Sequence, residues 1–346
     1  MLTYLLFNFQ VLWKRLFSKL SGRDRGSLFQ LRNLLGRSSV PSDPQDDMKA
    51  AEDFLLVVLH AHAICAAKAI SSIVDVHSVM DLSCMIVANY TLLDEFSDHM
   101  FKEKNSTSEP KTKTAKRRTP QPKSSQPEAE NEPKYDLVNL YAKELLTLGL
   151  LWHGFHDASK ESDGDRSFRH WKFLVVIFKS SRNYNYAKDA VNLIVSHKYL
   201  LSERKAAQLL WCRTVNTRGY SGCNIPMDLH MEHLNRRLKS IIANVGANKS
   251  DKTIVKAAKT LRAVHKVCEI FHNETAKSTT SDKHPYPAFD KDLKKVLIIL
   301  EEVEVFATKE KREHSCFIWK KGLLQTMPKA NLVEAVKKNV KQLINK

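Results

Sequence analysis

The sequence lacks the short motifs that identify most well-known enzyme classes. It has no glycine-rich loop that would cradle a phosphate, no G-x-S-x-G nucleophile elbow and no protein-kinase motif set. Its six cysteines lie far apart and include no C-x-x-C pair, which excludes the dense disulfide framework of a small secreted domain. We therefore expect an intracellular chain with reduced, mostly structural thiols and no recognisable complete active site.

Export and membrane signals are weak as well. Residues 1–20 are apolar, but their basic residues stand at the far end, which is the reverse of a signal peptide. The most apolar stretch, residues 54–70, is interrupted by His60, His62 and Lys68 and barely reaches the shortest length that spans a bilayer. The sequence therefore predicts a buried helix here and no membrane partner.

The charge balance is the first positive feature. The 55 Lys and Arg against 38 Asp and Glu give a formal net charge of +17, which attracts polyanions such as nucleic acid. A solvated basic surface without a partner is the alternative that composition leaves open. With 43% apolar residues among 346, the chain is long enough for one large core or two smaller ones.

Helical patterns follow one another along the chain. Asp43 is a plausible N-cap with Pro44 at the first helical position, and apolar residues recur at spacings of three and four after residue 137. The predicted helices cover residues 43–71, 79–96, 137–152, stretches capped by Ser202 and by Ser250, and residues 290–307 and 328–344. The helix after Ser250 carries an apolar face of Ile254, Ala258, Leu261, Val264, Cys268 and Phe271.

Strand-like alternation is nearly absent. Only residues 171–178 (WKFLVVIF) are rich enough in β-forming residues to compete with helix, so at most a minor strand is expected there. The predicted fold class is a predominantly α, multi-helix globular domain.

Residues 102–134 change character. Five prolines stand among Ser, Thr, Lys and Glu with almost no large apolar side chain, so burial cannot repay the entropy of ordering. We predict a disordered insertion that loops out of one helical domain, whose parts 1–101 and 135–275 pack together before the basic C-terminal helices of 276–346. The basic block 111–118, with Lys116, Arg117 and Arg118, is a candidate nuclear import signal or phosphate contact, which favours nuclear over cytoplasmic localisation; a solvated linker is the alternative.

The densest functional pattern is RGYSGCNIPMDLHMEHLNRRLK, residues 218–239. Gly219 and Gly222 predict a flexible turn, Asn224 a cap, and Pro226 a position in the first turn of a helix that starts at once.

Acidic and imidazole side chains are concentrated on that helix. Asp228 and Glu232 are four residues apart and share a face, where they would be catalytic or, with His230 or His233, hold Mg²⁺ or Mn²⁺. The pattern is not H-E-x-x-H. In the structural alternative both carboxylates favour the helix dipole and Glu232 pairs with Arg236.

Weaker candidates surround this pattern. Arg236, Arg237 and Lys239 would contact phosphates of DNA or RNA, or form a solvated face. His153, His156 and Asp157 (HGFHD) resemble a metal corner, but they are expected at a helix end without a ligand. Tyr184, Tyr186, Tyr199 and Trp211 accompany basic residues, although aromatics at such spacing are typical of a core.

The run NIPMDLHMEHLNRRLK resembles the signature of domain of unknown function 6589. The segments YLLFNFQVLWKRLFSKL and GSLFQLRNLL, residues 4–20 and 26–35, resemble the middle portion of that family, and the likeness covers most of residues 1–272 outside the insertion. Some members look transposon-derived, with upstream aspartate motifs suggestive of an RNase H-like nuclease core. The resemblance then implies that Asp228 or Glu232 is a last acidic ligand, and that this chain starts where the earlier aspartates should end.

Two functions from different classes follow. The preferred one is a non-catalytic helical module, of mobile-element origin, that binds nucleic acid or protein. The alternative is a truncated divalent-metal nuclease or transposase-like enzyme that uses Asp228 and Glu232. A protein-interaction scaffold remains a third reading.

Overall fold

The computed structural model describes residues 2–71, 135–243, 250–274 and 289–344, except residues 308, 320, 327 and 328. This part of the chain is predominantly α-helical, as the sequence predicts, and holds eleven α-helices. They are α1 (Leu2–Leu16), α2 (Leu28–Leu34), α3 (Met48–Ser71), α4 (Leu137–Lys160), α5 (Gly164–Ser180), α6 (Tyr184–Val195), α7 (Glu203–Trp211), α8 (Met227–Ala243), α9 (Asp251–Glu274), α10 (Phe289–Val303) and α11 (Lys329–Ile344). The helix predicted at residues 79–96 and the insertion predicted at 102–134 lie outside the described residues.

Short elements complete the list. Two 3₁₀ turns cover Lys19–Arg23 and Leu323–Gln325, and one π-helical turn, Ser196–Leu200, follows α6 directly. Strands β1 (Thr214–Asn216) and β2 (Asn224–Pro226) pair antiparallel, with Thr214 opposite Pro226.

Helix α3 begins later than its sequence predicts. Pro44 was the expected first helical residue, but the helix starts at Met48. The Asp43 carboxylate accepts a hydrogen bond from the N–H of Gln45 in the preceding turn (3.1 Å), whereas the Asp47 carboxylate accepts from the first turn of α3 (3.0 Å). The predicted start is wrong because Ser and Asp residues at positions 42, 43, 46 and 47 can all cap a helix, and their spacing alone does not show which of them does so.

Aromatic side chains fill the core between the N-terminal helices and α4 to α6. Helix α1 packs against α4 and α5, and α3 packs against α4. Trp13, Trp152 and Trp171 are almost completely buried, and the predicted apolar face of α4 is buried as well. Dense apolar burial of this kind is the main source of stability in a helical domain.

Residues 171–178 are helical and lie within α5. Trp171, Leu174 and Phe178 all point into the core, at helical rather than strand spacing. Burial against α1, α4 and α6 outweighs the β-propensity of the Val and Phe residues. The minor strand that the sequence allows at residues 171–178 is therefore absent, and the described strands are β1 and β2.

The C-terminal segment belongs to the same core. Helix α10 packs on α3 and buries Val296 and Leu300, Phe317 is buried further along, and α11 packs against α6. The helix predicted to reach residue 307 ends at Val303, because Glu304 takes a positive φ of 51°.

Helix α9 leaves two described residues of its predicted apolar face exposed. It packs against α8, but Val264 is 43% exposed and Phe271 is 60% exposed. Ala257 is the buried apolar side chain of the helix among those described. Val264 and Phe271, which belong to the apolar face that the sequence indicates, therefore lie at the surface.

By length and composition, α3 is the described helix that could cross a membrane. Half of its most apolar window is buried inside the protein, with Phe54, Leu55 and Val58 packed in the core. This arrangement agrees with the buried helix that the sequence predicts for residues 54–70.

Candidate functional site

The densest sequence pattern folds as a β-hairpin followed by a helix. Asn224 is a strand residue rather than a cap, and its side-chain amide donates to the carbonyl oxygen of Lys160 (2.6 Å). Pro226 is the last residue of β2, so α8 begins just after it, at Met227. The predicted start of the helix is nearly right, whereas the predicted cap is wrong because Asn224 finds its partner on α4.

Hydrogen bonds from one side chain hold the hairpin loop. The Asn216 side-chain oxygen accepts from the backbone N–H groups of Arg218 (3.1 Å) and Gly219 (2.7 Å), and its amide donates to the carbonyl of Tyr220 (2.7 Å). Gly219 and Gly222 have φ values of +81° and +70°, which residues other than glycine rarely adopt. The turn that the two glycines predict is thus present and closed by Asn216.

The two candidate carboxylates on α8 lie in different environments. Asp228 is half-buried and interacts electrostatically with Arg213, whose guanidinium lies over the ring of Trp171. Burial lowers the pKa of Arg213, and the charge of Asp228 opposes that effect. Glu232 is exposed and forms no ion pair with Arg236 in the described part of the chain, although their spacing permits one.

No group of three or more His, Cys, Asp or Glu side chains that could hold a metal ion occurs among the described residues. Asp228, His230, Glu232 and His233 share one helix, but the structure does not assemble them into such a group. A two-metal catalytic centre needs several converging carboxylates. The metal site and the catalytic role of Asp228 and Glu232 therefore stay predictions.

The basic residues after these carboxylates are exposed. We define the basic stretch as residues 196–243, which contain eight Lys and Arg against three Asp and Glu. Seven of its cations are exposed: Lys198, Arg204, Lys205, Arg218, Arg236, Arg237 and Lys239. None of the seven forms an ion pair with a carboxylate of the described residues. The other predicted cations, Lys116, Arg117 and Arg118, lie outside the described residues.

Aromatic side chains are exposed along the same stretch. Tyr199 is 78% exposed in the π-helical turn, Tyr220 is 73% exposed at the hairpin loop, and Trp211 is 49% exposed at the end of α7. Of the four aromatics expected in the core, Tyr186 packs against Phe7, whereas Tyr184, Tyr199 and Trp211 are exposed. Sequence reasoning missed Tyr220, whose only signal is its place between two glycines.

The HGFHD residues lie inside α4 rather than at a helix end. His156 stacks on Trp152 and lies 4.0 Å from the carboxylate of Glu52 on α3, while Asp157 pairs with Arg166 (2.7 Å). Burial raises the pKa of Glu52 to about 7 and lowers that of His156 to about 4. His156 is thus neutral near neutral pH, whereas Glu52 changes from its neutral to its charged form in that range.

Together these elements define a helical protein that presents a basic, aromatic stretch. A family model matches residues 5–284, and the chain belongs to that family of unknown function (DUF6589). This match confirms the family that the motif residues resemble. No curated protein and no solved structure matches the chain.

Proposed function

We propose that this chain is a non-catalytic helical module that binds nucleic acid through the basic stretch. The observation that carries the proposal is the set of seven exposed cations without a carboxylate partner among the described residues. Phosphate contacts by Lys and Arg release counterions from the nucleic acid, and this release supplies most of the sequence-independent affinity. The formal net charge of the whole chain, +17, adds long-range attraction to a polyanion.

Two guanidiniums elsewhere in the fold are used differently. Arg15 pairs with Glu144 at 2.6 Å, and Arg37 pairs with Asp292 at 2.7 Å, in each case between distant parts of the chain. These guanidiniums stabilise packing and are screened from a partner. The basic stretch keeps its charges at the surface, where a polyanion can reach them.

The environments of the two carboxylates of α8 differ, and this difference favours the non-catalytic proposal over a metal site at these residues. Asp228 already interacts with Arg213, and Glu232 is exposed and belongs to no group of three or more metal-binding side chains among the described residues. A cation held by Glu232 alone would be bound weakly, because Mg²⁺ and Mn²⁺ sites use several oxygen ligands.

Salt dependence is the direct test of binding. Fluorescence anisotropy with labelled DNA and RNA oligonucleotides should show binding that weakens steeply between about 50 and 200 mM salt. Six to ten phosphate contacts would reduce the affinity by roughly 10³- to 10⁵-fold over that range. Failure to bind any of these oligonucleotides at low salt would refute the proposal.

A matched pair of triple variants locates the interface. Arg236→Ala/Arg237→Ala/Lys239→Ala removes three exposed charges from α8, and Lys291→Ala/Lys294→Ala/Lys295→Ala removes three from α10. We expect the α8 variant to flatten the slope of log affinity against log salt by about 2 to 3, because each phosphate contact contributes about 0.7 to 0.9. The α10 variant should retain the wild-type slope. Equal losses in both would mean that only net charge attracts the nucleic acid.

The nuclease hypothesis is tested on the same oligonucleotides. We expect no cleavage with Mg²⁺ or Mn²⁺. Metal-dependent cleavage that Glu232→Ala abolishes would establish the alternative and overturn the non-catalytic part of the proposal.

A further inference from the structure

Tyr220 is displayed by the β1–β2 hairpin without covering anything. Its side chain is 73% exposed, and its ring packs against no other aromatic ring of the described residues. Its hydroxyl likewise makes no hydrogen bond within that part of the chain. A large ring in this position adds little to the fold, because burial is what makes an aromatic side chain stabilising.

The backbone that carries Tyr220 is held from both sides. The Tyr220 carbonyl accepts hydrogen bonds from the Asn216 amide (2.7 Å) and from the N–H of Cys223 (3.3 Å). The next residue, Ser221, donates its hydroxyl hydrogen to the Glu161 carboxylate (3.2 Å). The ring is therefore presented from an ordered loop, so a ligand that contacts it need not order the backbone first.

The base of the hairpin is fastened to the helical core. Asn224 donates to the carbonyl of Lys160, and the hydroxyls of Thr214 and Ser162 lie 2.6 Å apart. The N–H of Met227 donates to the carbonyl of Arg213 at 2.8 Å. Both strands thus start from fixed points, and the loop projects between them.

Exposed basic residues precede and follow Tyr220 along the chain. Arg218 is exposed two residues before Tyr220 and has no carboxylate partner among the described residues. The rest of the basic stretch continues on either side of the hairpin. An exposed ring two residues from an unpaired cation suits a nucleic-acid strand whose phosphates and bases are both accessible.

We infer that Tyr220 is a stacking platform for an unpaired base and that the preferred ligand class is single-stranded nucleic acid. The inference rests on the proposed function and deepens it. A base inside a duplex already stacks on its neighbours on both faces, whereas an unpaired base offers a free face to an aromatic side chain. Arg218 and the other cations then contact the phosphates of the same strand.

The test compares three variants on single-stranded and duplex oligonucleotides of one sequence. Tyr220→Ala should weaken single-strand binding by about 5- to 150-fold, which is the usual effect of losing one base–aromatic stack. Tyr220→Phe keeps the ring and should bind like the wild type. Tyr184→Ala removes another exposed tyrosine, at the start of α6, and should leave the affinity unchanged.

A 2-aminopurine base in the single strand reports stacking directly. Its fluorescence should be quenched by the wild type and by Tyr220→Phe, but much less by Tyr220→Ala at saturating protein. Unchanged binding and quenching by Tyr220→Ala would overturn the stacking role while the proposed function stands. An equal loss of duplex affinity would overturn the preference for unpaired bases. No binding of either oligonucleotide by the wild type would refute the proposed function itself.

Discussion

Replacing Asp136 by asparagine removes one negative charge from the contact between α4 and the segment that follows α10. The Asp136 side chain is 6% exposed, and it accepts hydrogen bonds from the Arg312 guanidinium at 2.6 to 3.0 Å. It also accepts from the backbone N–H of Lys309 (2.9 Å). The same guanidinium donates to the carbonyls of Val303 and Ala307, so one ion pair joins the start of α4 to the end of α10.

The magnitude follows from what asparagine retains. Its side-chain oxygen can still cap α4, which keeps about 1 kcal/mol of capping energy. The partly buried Arg312 guanidinium loses its counter-charge. Breaking a fully buried pair costs about 3–5 kcal/mol, so we use the low end of that range here. We expect Asp136→Asn to lower the free energy of unfolding by about 3 kcal/mol and Asp136→Ala by about 4. The asparagine variant should lose roughly 6–12 °C in Tm.

Urea unfolding followed by circular dichroism measures this loss. The midpoint should fall while the slope of the transition stays constant. The double variant Asp136→Asn/Arg312→Met should be less destabilised than the sum of the single variants, by about 1–3 kcal/mol, because neither charge is then left alone. A stability within about 1 kcal/mol of wild type for Asp136→Asn, or strict additivity in the cycle, would refute the reasoning.

Lowering the pH should reduce the difference in stability between the wild type and Asp136→Asn. Burial by itself would raise the pKa of Asp136, but hydrogen bonds from Arg312 and from the N–H groups of Asn139 and Lys309 outweigh it and hold the pKa below its usual range. A carboxylate whose pKa is lowered by folding adds stability above its unfolded pKa of about 3.9, and that stability is lost as the pH falls through the folded value. The gap between the wild type and Asp136→Asn should therefore shrink below about pH 4.

Two further predictions concern helix contacts near the site. A Cβ added to Gly164 would lie 3.0 Å from the backbone carbonyl carbon of Leu210, so Gly164→Ala should destabilise the protein by about 1–3 kcal/mol in thermal melts. The control is Gly22→Ala, because a Cβ added there would lie at an ordinary contact distance of 3.5 Å. Equal destabilisation by both substitutions would contradict tight packing of α5 on α7. Burial raises the pKa of Glu52 to about 7, so its neutral form stabilises the folded wild type fully below about pH 4.5. As the pH rises to about 7, the free energy of unfolding of the wild type should fall by on the order of 2–3 kcal/mol relative to that of Glu52→Gln. Parallel stability profiles of these two proteins against pH would show that Glu52 is not buried in its acid form.

The buried faces of some helices were predictable because they depend only on spacing within one segment. The apolar rows of α4 and α10 pack inward as their periodicity indicates. Helix ends were less predictable, since the usual glycine signal is missing at several of them. Ser162, Arg182 and Glu304 all adopt positive φ just past a helix, and nothing in these residue types announces that conformation.

The candidate site was predictable only in part. The sequence places Arg236, Arg237 and Lys239 on an exposed helix, where the structure has them. The hairpin was missed because each strand has three residues, too few for an alternation to show. The interaction of Asp228 with Arg213 also escaped detection, because it crosses the hairpin and no fixed spacing along a helix describes it.

The chain after residue 284 lies beyond the match to the family model, yet it completes the core. Val296 and Phe317 are buried against helices that the match includes, and Arg312 neutralises an aspartate from that same region. The unit that defines the family by similarity is therefore smaller than the unit that folds. A fragment cut at the edge of the match would expose apolar surface on α3 and remove the Arg312 partner of Asp136.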